Sequence, residues 1–79
     1  MISQTSEYAL RAMVFLAMHD GAATGQVVAE VTKVPPGYLS KIMQQLVKSK
    51  LLNSQRGIGG GFVLARTPAE ISILDVLNA

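Results

Sequence analysis

From Tyr8 to His19 almost every residue is apolar, with Arg11 the chief interruption, and the stretch reads as a helix rich in Ala, Leu and Met. Thr5 and Ser6 offer capping hydroxyls before it, and Glu7 an early carboxylate. Asp20-Gly21 ends the helix, with Gly21 available for a left-handed C-cap and His19 at the dipole-compatible C-terminal end. A surface helix normally keeps one polar face, which this one lacks, so the pattern predicts a helix covered on two sides. The domain itself supplies one cover; the second must come from a partner or from further chain.

Thr24 is placed to cap a short helix over Gly25–Thr32, with Val27, Val28 and Val31 at helical spacing. Lys33-Val34 is the turn, and Pro35-Pro36-Gly37 breaks the chain before a helix from Gly37 or Tyr38 to about Lys50. In that helix Leu39, Ile42, Met43, Leu46 and Val47 form an apolar stripe, and Tyr38, Ser40, Lys41, Gln44, Gln45 and Lys48 form a polar, acid-free face. Leu51 to Arg56 and Phe62 to Arg66 read as two short strands around Gly57-Ile58-Gly59-Gly60-Gly61, a flexible hairpin tip. Ser72 to Asp75 resembles a capping box and starts a helix still running at Ala79. The expected fold is mainly α with a small β-hairpin (α+β), a single winged helix–turn–helix domain over residues 1–79.

Composition narrows the class. Seventy-nine residues make one domain with a thin core, and an apolar fraction of 49% favours packing over disorder. With no cysteine, a disulfide scaffold and a thiolate metal site within these residues are excluded. No secretory signal is visible, and the longest apolar run, Ala12 to Met18, is too short to span a bilayer, so a cytoplasmic, non-membrane protein is expected. The net charge of +2 conceals a strong asymmetry. Lys33, Lys41, Lys48, Lys50, Arg56 and Arg66 all fall between Val31 and Ala69, where there is no acid. A one-sign surface of this kind suits a polyanion such as nucleic acid.

A short helix, a tight turn and a second amphipathic helix make a helix–turn–helix, whose second helix fits the major groove. Its N-terminal part brings Pro36, Gly37, Tyr38, Ser40 and Lys41 towards base edges: Lys41 can donate to guanine, Ser40 can donate or accept, and Tyr38 can touch a thymine methyl or a phosphate. Gln44, one turn on, could read adenine if it faces the groove, and Lys48 suits the DNA backbone. The hairpin would act as a wing in the minor groove, with Arg56 at its base and Gly57, Gly59 and Gly60 letting backbone N–H groups approach phosphates. Thr5, Ser6 and Tyr8 could hold a backbone phosphate at the start of the first helix, although ordinary capping explains the hydroxyls equally well. No nucleophile–base pair or metal-spaced cluster stands out, so no catalytic residue is assigned and an enzyme is not expected.

Four motifs in order, Thr5-Ser6-Glu7-Tyr8-Ala9-Leu10-Arg11-Ala12, Pro36-Gly37-Tyr38-Leu39, Gln55-Arg56-Gly57-Ile58-Gly59-Gly60-Gly61-Phe62 and Ile73-Leu74-Asp75-Val76, resemble the Rrf-two family of bacterial winged-helix regulators. The resemblance implies a dimeric transcription regulator, expected to repress, on a roughly palindromic double-stranded DNA operator. It places Pro36 to Lys41 in the major groove and matches Arg56 to the family's minor-groove arginine. Family members continue into a long dimerisation helix, which would cover the first helix, and many carry three cysteines that bind an iron–sulfur cluster. Neither is present here, so a missing C-terminal dimerisation or sensor segment is expected, and no cofactor within this chain. Some relatives take a fourth cluster ligand from an acidic residue matched by Glu7; without cysteines, helix capping is its better default. Two other readings stay open: a winged-helix protein-interaction module that never touches DNA, and an iron–sulfur or redox sensor whose ligands lie outside these residues.

Overall fold

A computed structural model describes residues 3–79. Helix α1 spans Gln4–Met18, α2 Gly25–Thr32, α3 Pro36–Lys48 and α4 Ile73–Leu77; strands β1 (Leu52–Gln55) and β2 (Gly61–Leu64) lie between α3 and α4. The expected α+β winged helix–turn–helix order is present, with an added 3-10 turn at Pro68–Glu70.

Helix α1 begins four residues before Tyr8. Ser3 is the N-cap, its hydroxyl accepting from the Ser6 N–H at 3.1 Å, and its carbonyl accepts from the Glu7 N–H at 2.9 Å. Thr5 and Ser6 therefore lie inside the first turn and do not cap it. The helix closes at His19, whose extended backbone (ψ 139°) ends it before Gly21 is reached. Gly21 takes its positive φ of 84° in the connection instead. The His19 ring lies against Phe15, centroids 5.1 Å apart.

Helix α2 has the expected bounds, and the Thr24 hydroxyl accepts from the Val27 N–H at 3.2 Å. Its buried face is Val28, Ala29 and Thr32, so Val27 and Val31 are exposed and the valine spacing does not mark the core side. The tertiary contacts of α2 with α1 and α3 set that face. Helix α3 buries Leu39, Ile42, Met43 and Leu46, with Val47 half-buried, as its stripe predicts. It starts at Pro36 and stops at Lys48, two residues short of Lys50. Lys50 sits at φ 65°, its N–H donating to the Val47 carbonyl, while the Leu51 N–H donates to the Leu46 carbonyl. That pair of bonds is a Schellman closure, with Leu51 and Leu46 both buried in the core. Glycine is the usual residue there, and lysine in its place hides the stop.

The strands are antiparallel, Leu52 opposite Leu64 and Gln55 opposite Gly61; β1 is shorter at both ends than expected, while β2 begins earlier, at Gly61, and ends earlier, at Leu64. Helix α4 closes at Leu77 with Asn78 as its C-cap and does not run through Ala79. Its start matches the expected box: the Asp75 N–H donates to Ser72 Oγ and the Ser72 N–H to Asp75 Oδ2, both at 3.0 Å. Just upstream, the Glu70 carboxylate accepts from the Thr67 hydroxyl at 2.7 Å and the Thr67 N–H at 3.2 Å.

These bonds to the charged form lower both carboxyls below their ordinary range, through the Thr67 hydroxyl chiefly for Glu70 and the Ser72 N–H chiefly for Asp75. A depressed folded-state pKa stabilises above the unfolded pKa, and the contribution disappears as pH falls through the folded value. The 67–77 segment is thus expected to loosen below the ordinary carboxylate range, earlier than the core. Amide exchange followed from pH 6 down to pH 2 checks this; exchange in the segment that stays uniform with α3 throughout would contradict it.

Candidate nucleic-acid interface

The candidate site is assembled from the N-terminal half of α1, the outward face of α3 and the hairpin. Because α3 buries positions 39, 42, 43 and 46, the opposite side of the helix carries Gly37, Lys41, Gln44 and Lys48, all exposed. Their spacing of four, three and four residues keeps them on one stripe. Lys41 and Lys48 lie about 10 Å apart along the axis at 1.5 Å per residue. Gln44 stands between them on the same exposed stripe. Pro36 and Ser40 flank the stripe and are also exposed.

Tyr38 is set off to the α1 side. Its hydroxyl is hydrogen-bonded to Thr5 Oγ1, and its ring meets Tyr8 edge-on with centroids 5.5 Å apart. The Tyr8 hydroxyl in turn accepts from the Gln4 side-chain amide at 2.8 Å. Three of the expected contact residues, Thr5, Tyr8 and Tyr38, therefore join the two helix starts to one another. Ser6 remains on the same turn, its hydroxyl accepting from that of Ser3 at 3.0 Å. An open cleft of about 470 Å³ runs between these helix starts, lined by Thr5, Gly37, Tyr38, Lys41, Ile42 and Gln45. Tyr38→Phe deletes the hydroxyl bridge and is expected to cost about 1 kcal/mol of stability. A urea-unfolding midpoint equal to wild type would show that the bridge adds nothing.

Gln45 and Arg11 belong to the site's frame and escaped sequence reasoning. Gln45 shares the polar face of α3 but turns towards α1, which only tertiary packing reveals. Arg11 NH2 donates to Glu7 Oε1 at 2.7 Å, NH1 donates to the Thr32 carbonyl at 3.2 Å, and the guanidinium lies 5.3 Å from the Tyr8 ring centre. It ties α1 to the C-terminal end of α2, next to the turn that launches α3. Arg11 interrupts the apolar run, but a charged helix residue paired at i−4 is an ordinary surface pattern, so nothing local points to its bond with Thr32.

The wing is more constrained than a flexible tip. Beyond the β1–β2 pairing, the Ala23 N–H donates to the Phe62 carbonyl at 3.0 Å and the Phe62 N–H to the Ala23 carbonyl at 2.7 Å. This bridge pins the return strand to the link just before α2. The Gly60 N–H is taken by the Gly57 carbonyl at 2.9 Å, closing a four-residue turn. Gly57, Ile58 and Gly59 are exposed at its end, with Arg56 exposed at the base.

Arg11–Glu7 is the one ion pair among the described residues. Lys33, Lys41, Lys48, Lys50, Arg56 and Arg66 are all exposed and none forms an ion pair among the described residues, with Arg66 alone near enough to Glu70 and Asp75 to lower their pKa values. Among the described residues no three His, Cys, Asp or Glu side chains gather to hold a metal, and Glu7 is engaged by Arg11. These residues alone do not fit an iron–sulfur cluster, which needs thiolate ligands the chain lacks.

Residues 2–79 match the Rrf2 family, described as an iron-dependent transcriptional regulator. The chain is 46% identical over 82 aligned positions to a Mycobacterium tuberculosis protein named as an HTH-type transcriptional regulator, covering 98% of this chain and 49% of the relative. Its fold is similar to T. potens IscR, with a TM-score of 0.94 at 32% identity over 99% of this chain and 58% of that one. It is also similar to CymR, the global cysteine regulator of B. subtilis, with a TM-score of 0.91 at 30% identity over 99% of this chain and 62% of that one. The chain spans about half the length of the curated relatives it matches. With its winged helix–turn–helix fold and its matched length, it belongs to the Rrf2 family, a family of transcriptional regulators and not of enzymes.

Proposed function

We propose that this chain is the sequence-specific, double-stranded-DNA-binding part of a transcriptional regulator, with α3 in the major groove and the wing in the adjacent minor groove. The observation that carries it is the segregation of charge along the chain: six exposed cations without an ion-pair partner, in the acid-free stretch that holds both α3 and the wing. Such a surface releases condensed counterions when it meets phosphates, which favours a polyanion over a neutral protein partner. Pro36, Gly37, Ser40, Lys41 and Gln44 face base edges in this reading; Arg56 with Gly57, Gly59 and Gly60 follows the minor groove; Thr5, Ser6, Tyr8 and Lys48 contact the backbone. Tyr38 reaches the groove edge while holding Thr5.

A homodimer is part of the proposal. Val14 and Ile73 are exposed on an apolar groove between α1 and α4 that also includes Leu10 and Ile71, and Met18 (83% exposed) and Leu74 are further exposed apolar residues of the same two helices. The groove is a surface for the dimerisation helix of a longer form, which answers the need for a second cover on α1. A dimer on its operator would exclude other proteins from the same DNA, which is the basis for a repressor role. No helix among the described residues is long and apolar enough to cross a membrane, and a DNA-binding role places the protein in the cytoplasm. An iron–sulfur cluster is proposed only for a longer form, its thiolates supplied from outside these residues.

Lys41 and Lys48 separate base reading from backbone attraction. Lys41→Ala is expected to cost about 1–3 kcal/mol on a duplex selected by the wild-type chain, and less on random duplex. Lys48→Ala should weaken both by similar factors. Fluorescence-anisotropy titrations on the two duplexes check this, and identical losses from both variants on both duplexes would overturn the division of roles.

A further inference from the structure

Resting on the proposed minor-groove placement of the wing, we infer that Ile58 is an apolar reader of that groove, selecting A·T over G·C pairs beneath the wing tip. Ile58 is the most exposed large apolar side chain among the described residues, at 109% of its reference area. It packs against nothing, so the fold does not require it. The turn that presents it is closed by the Gly60 N–H donating to the Gly57 carbonyl, with Ile58 and Gly59 at the two central positions. Gly59 supplies the positive φ of 76° that the third position of such a turn needs, leaving the second to any residue, where a polar one would be better solvated. The tip thus holds one apolar side chain outward, two residues from exposed Arg56, within the acid-free stretch.

Cation and apolar side chain on one turn suit one particular surface. Narrow A·T minor grooves draw in arginine, and apolar side chains contact or wedge into the groove floor of proteins that bind there. The floor of an A·T pair carries only acceptors, while a G·C pair adds the protruding guanine N2 amino group. Isoleucine cannot accept from that amino group, so a G·C pair under the tip would bury an unsatisfied donor against an apolar side chain. Its branched Cβ leaves few rotamers to freeze on contact. The charge of Arg56 attracts the groove, and Ile58 rejects the base pair that fits badly.

The test uses the whole chain and a duplex selected by it from a random library. Adenines are replaced one at a time by 2,6-diaminopurine, which adds an amino group to the minor-groove edge and leaves the N6 and N7 major-groove contacts in place. At one or two neighbouring steps, wild type should lose tenfold or more in affinity. Ile58→Ser should lose less than threefold at those steps, and Ile58→Val should behave as wild type. Equal penalties in wild type and Ile58→Ser overturn the inference while the wing reading stands. No diaminopurine penalty anywhere in wild type overturns the minor-groove placement and the inference with it. Thermal melting of Ile58→Ser, expected to match wild type because the side chain touches nothing, separates recognition from folding.

Discussion

Gly61→Ala is expected to destabilise the domain by about 3 kcal/mol and to release the wing from the helices. Gly61 holds φ at 135°, a conformation that side chains with a Cβ rarely adopt, so strain arises before any contact is considered. A Cβ added there would lie 2.4 Å from the Ala23 carbonyl oxygen and 2.7 Å from the Thr24 nitrogen. Both are backbone atoms, unable to step aside as a flexible side chain could. Relief requires opening the paired Ala23–Phe62 bonds, and these are what hold β2 against the link leading into α2. At roughly 4–8 °C per kcal/mol for a domain of this size, the melting midpoint should fall by more than about 10 °C. Gly37→Ala is the matched control. Its added Cβ meets nothing within 4 Å and its backbone is helical, so the midpoint should hold or rise slightly. A Gly61→Ala midpoint within 2–3 °C of wild type, about 0.5 kcal/mol at this size, would show that the wing is not pinned.

Arg56→Ala carries the largest expected loss in binding, roughly tenfold to a hundredfold on the selected duplex. The side chain is exposed and forms no ion pair or hydrogen bond among the described residues, so its removal should leave the melting midpoint unchanged. Affinity alone should change. If the guanidinium neutralises one phosphate's worth of charge, the salt slope should also flatten by about one. Unaltered affinity in a folded Arg56→Ala protein would remove the wing from the interface. A protein-interaction module would show this result, since a protein partner does not need a narrow anionic groove.

How much of this was legible in the sequence follows from the range of each interaction. Thr24 and the Ser72–Asp75 pair declare themselves because a cap is completed within three residues. The α3 stripe is legible because one face packs on one core, and its opposite face then fixes the outward order of Gly37, Lys41, Gln44 and Lys48. The start of α1 was misplaced because Ser3, Thr5 and Ser6 are equally good caps locally, and Thr5 is drawn instead to Tyr38. The end of α3 was overrun because Lys50, and not glycine, adopts the left-handed turn. Val27 and Val31 misled because a short helix with valines on two sides does not say which side is buried. The Ala23–Phe62 bridge and the Arg11–Thr32 bond pair residues 39 and 21 positions apart, and a single long-range bond leaves no periodic trace. The elements and exposed faces that carry the candidate residues were therefore readable, but not the bonds that hold α1, α3 and the wing in one frame.

DNA binding by the acid-free half of the chain is tested by the affinity of the wild-type chain for its selected duplex across a series of salt concentrations. With six unpaired cations available, the logarithm of the association constant should fall linearly with the logarithm of salt, with a slope of about −3 to −5 per chain. An affinity that stays flat with salt, or a random library from which no duplex is enriched, would contradict it.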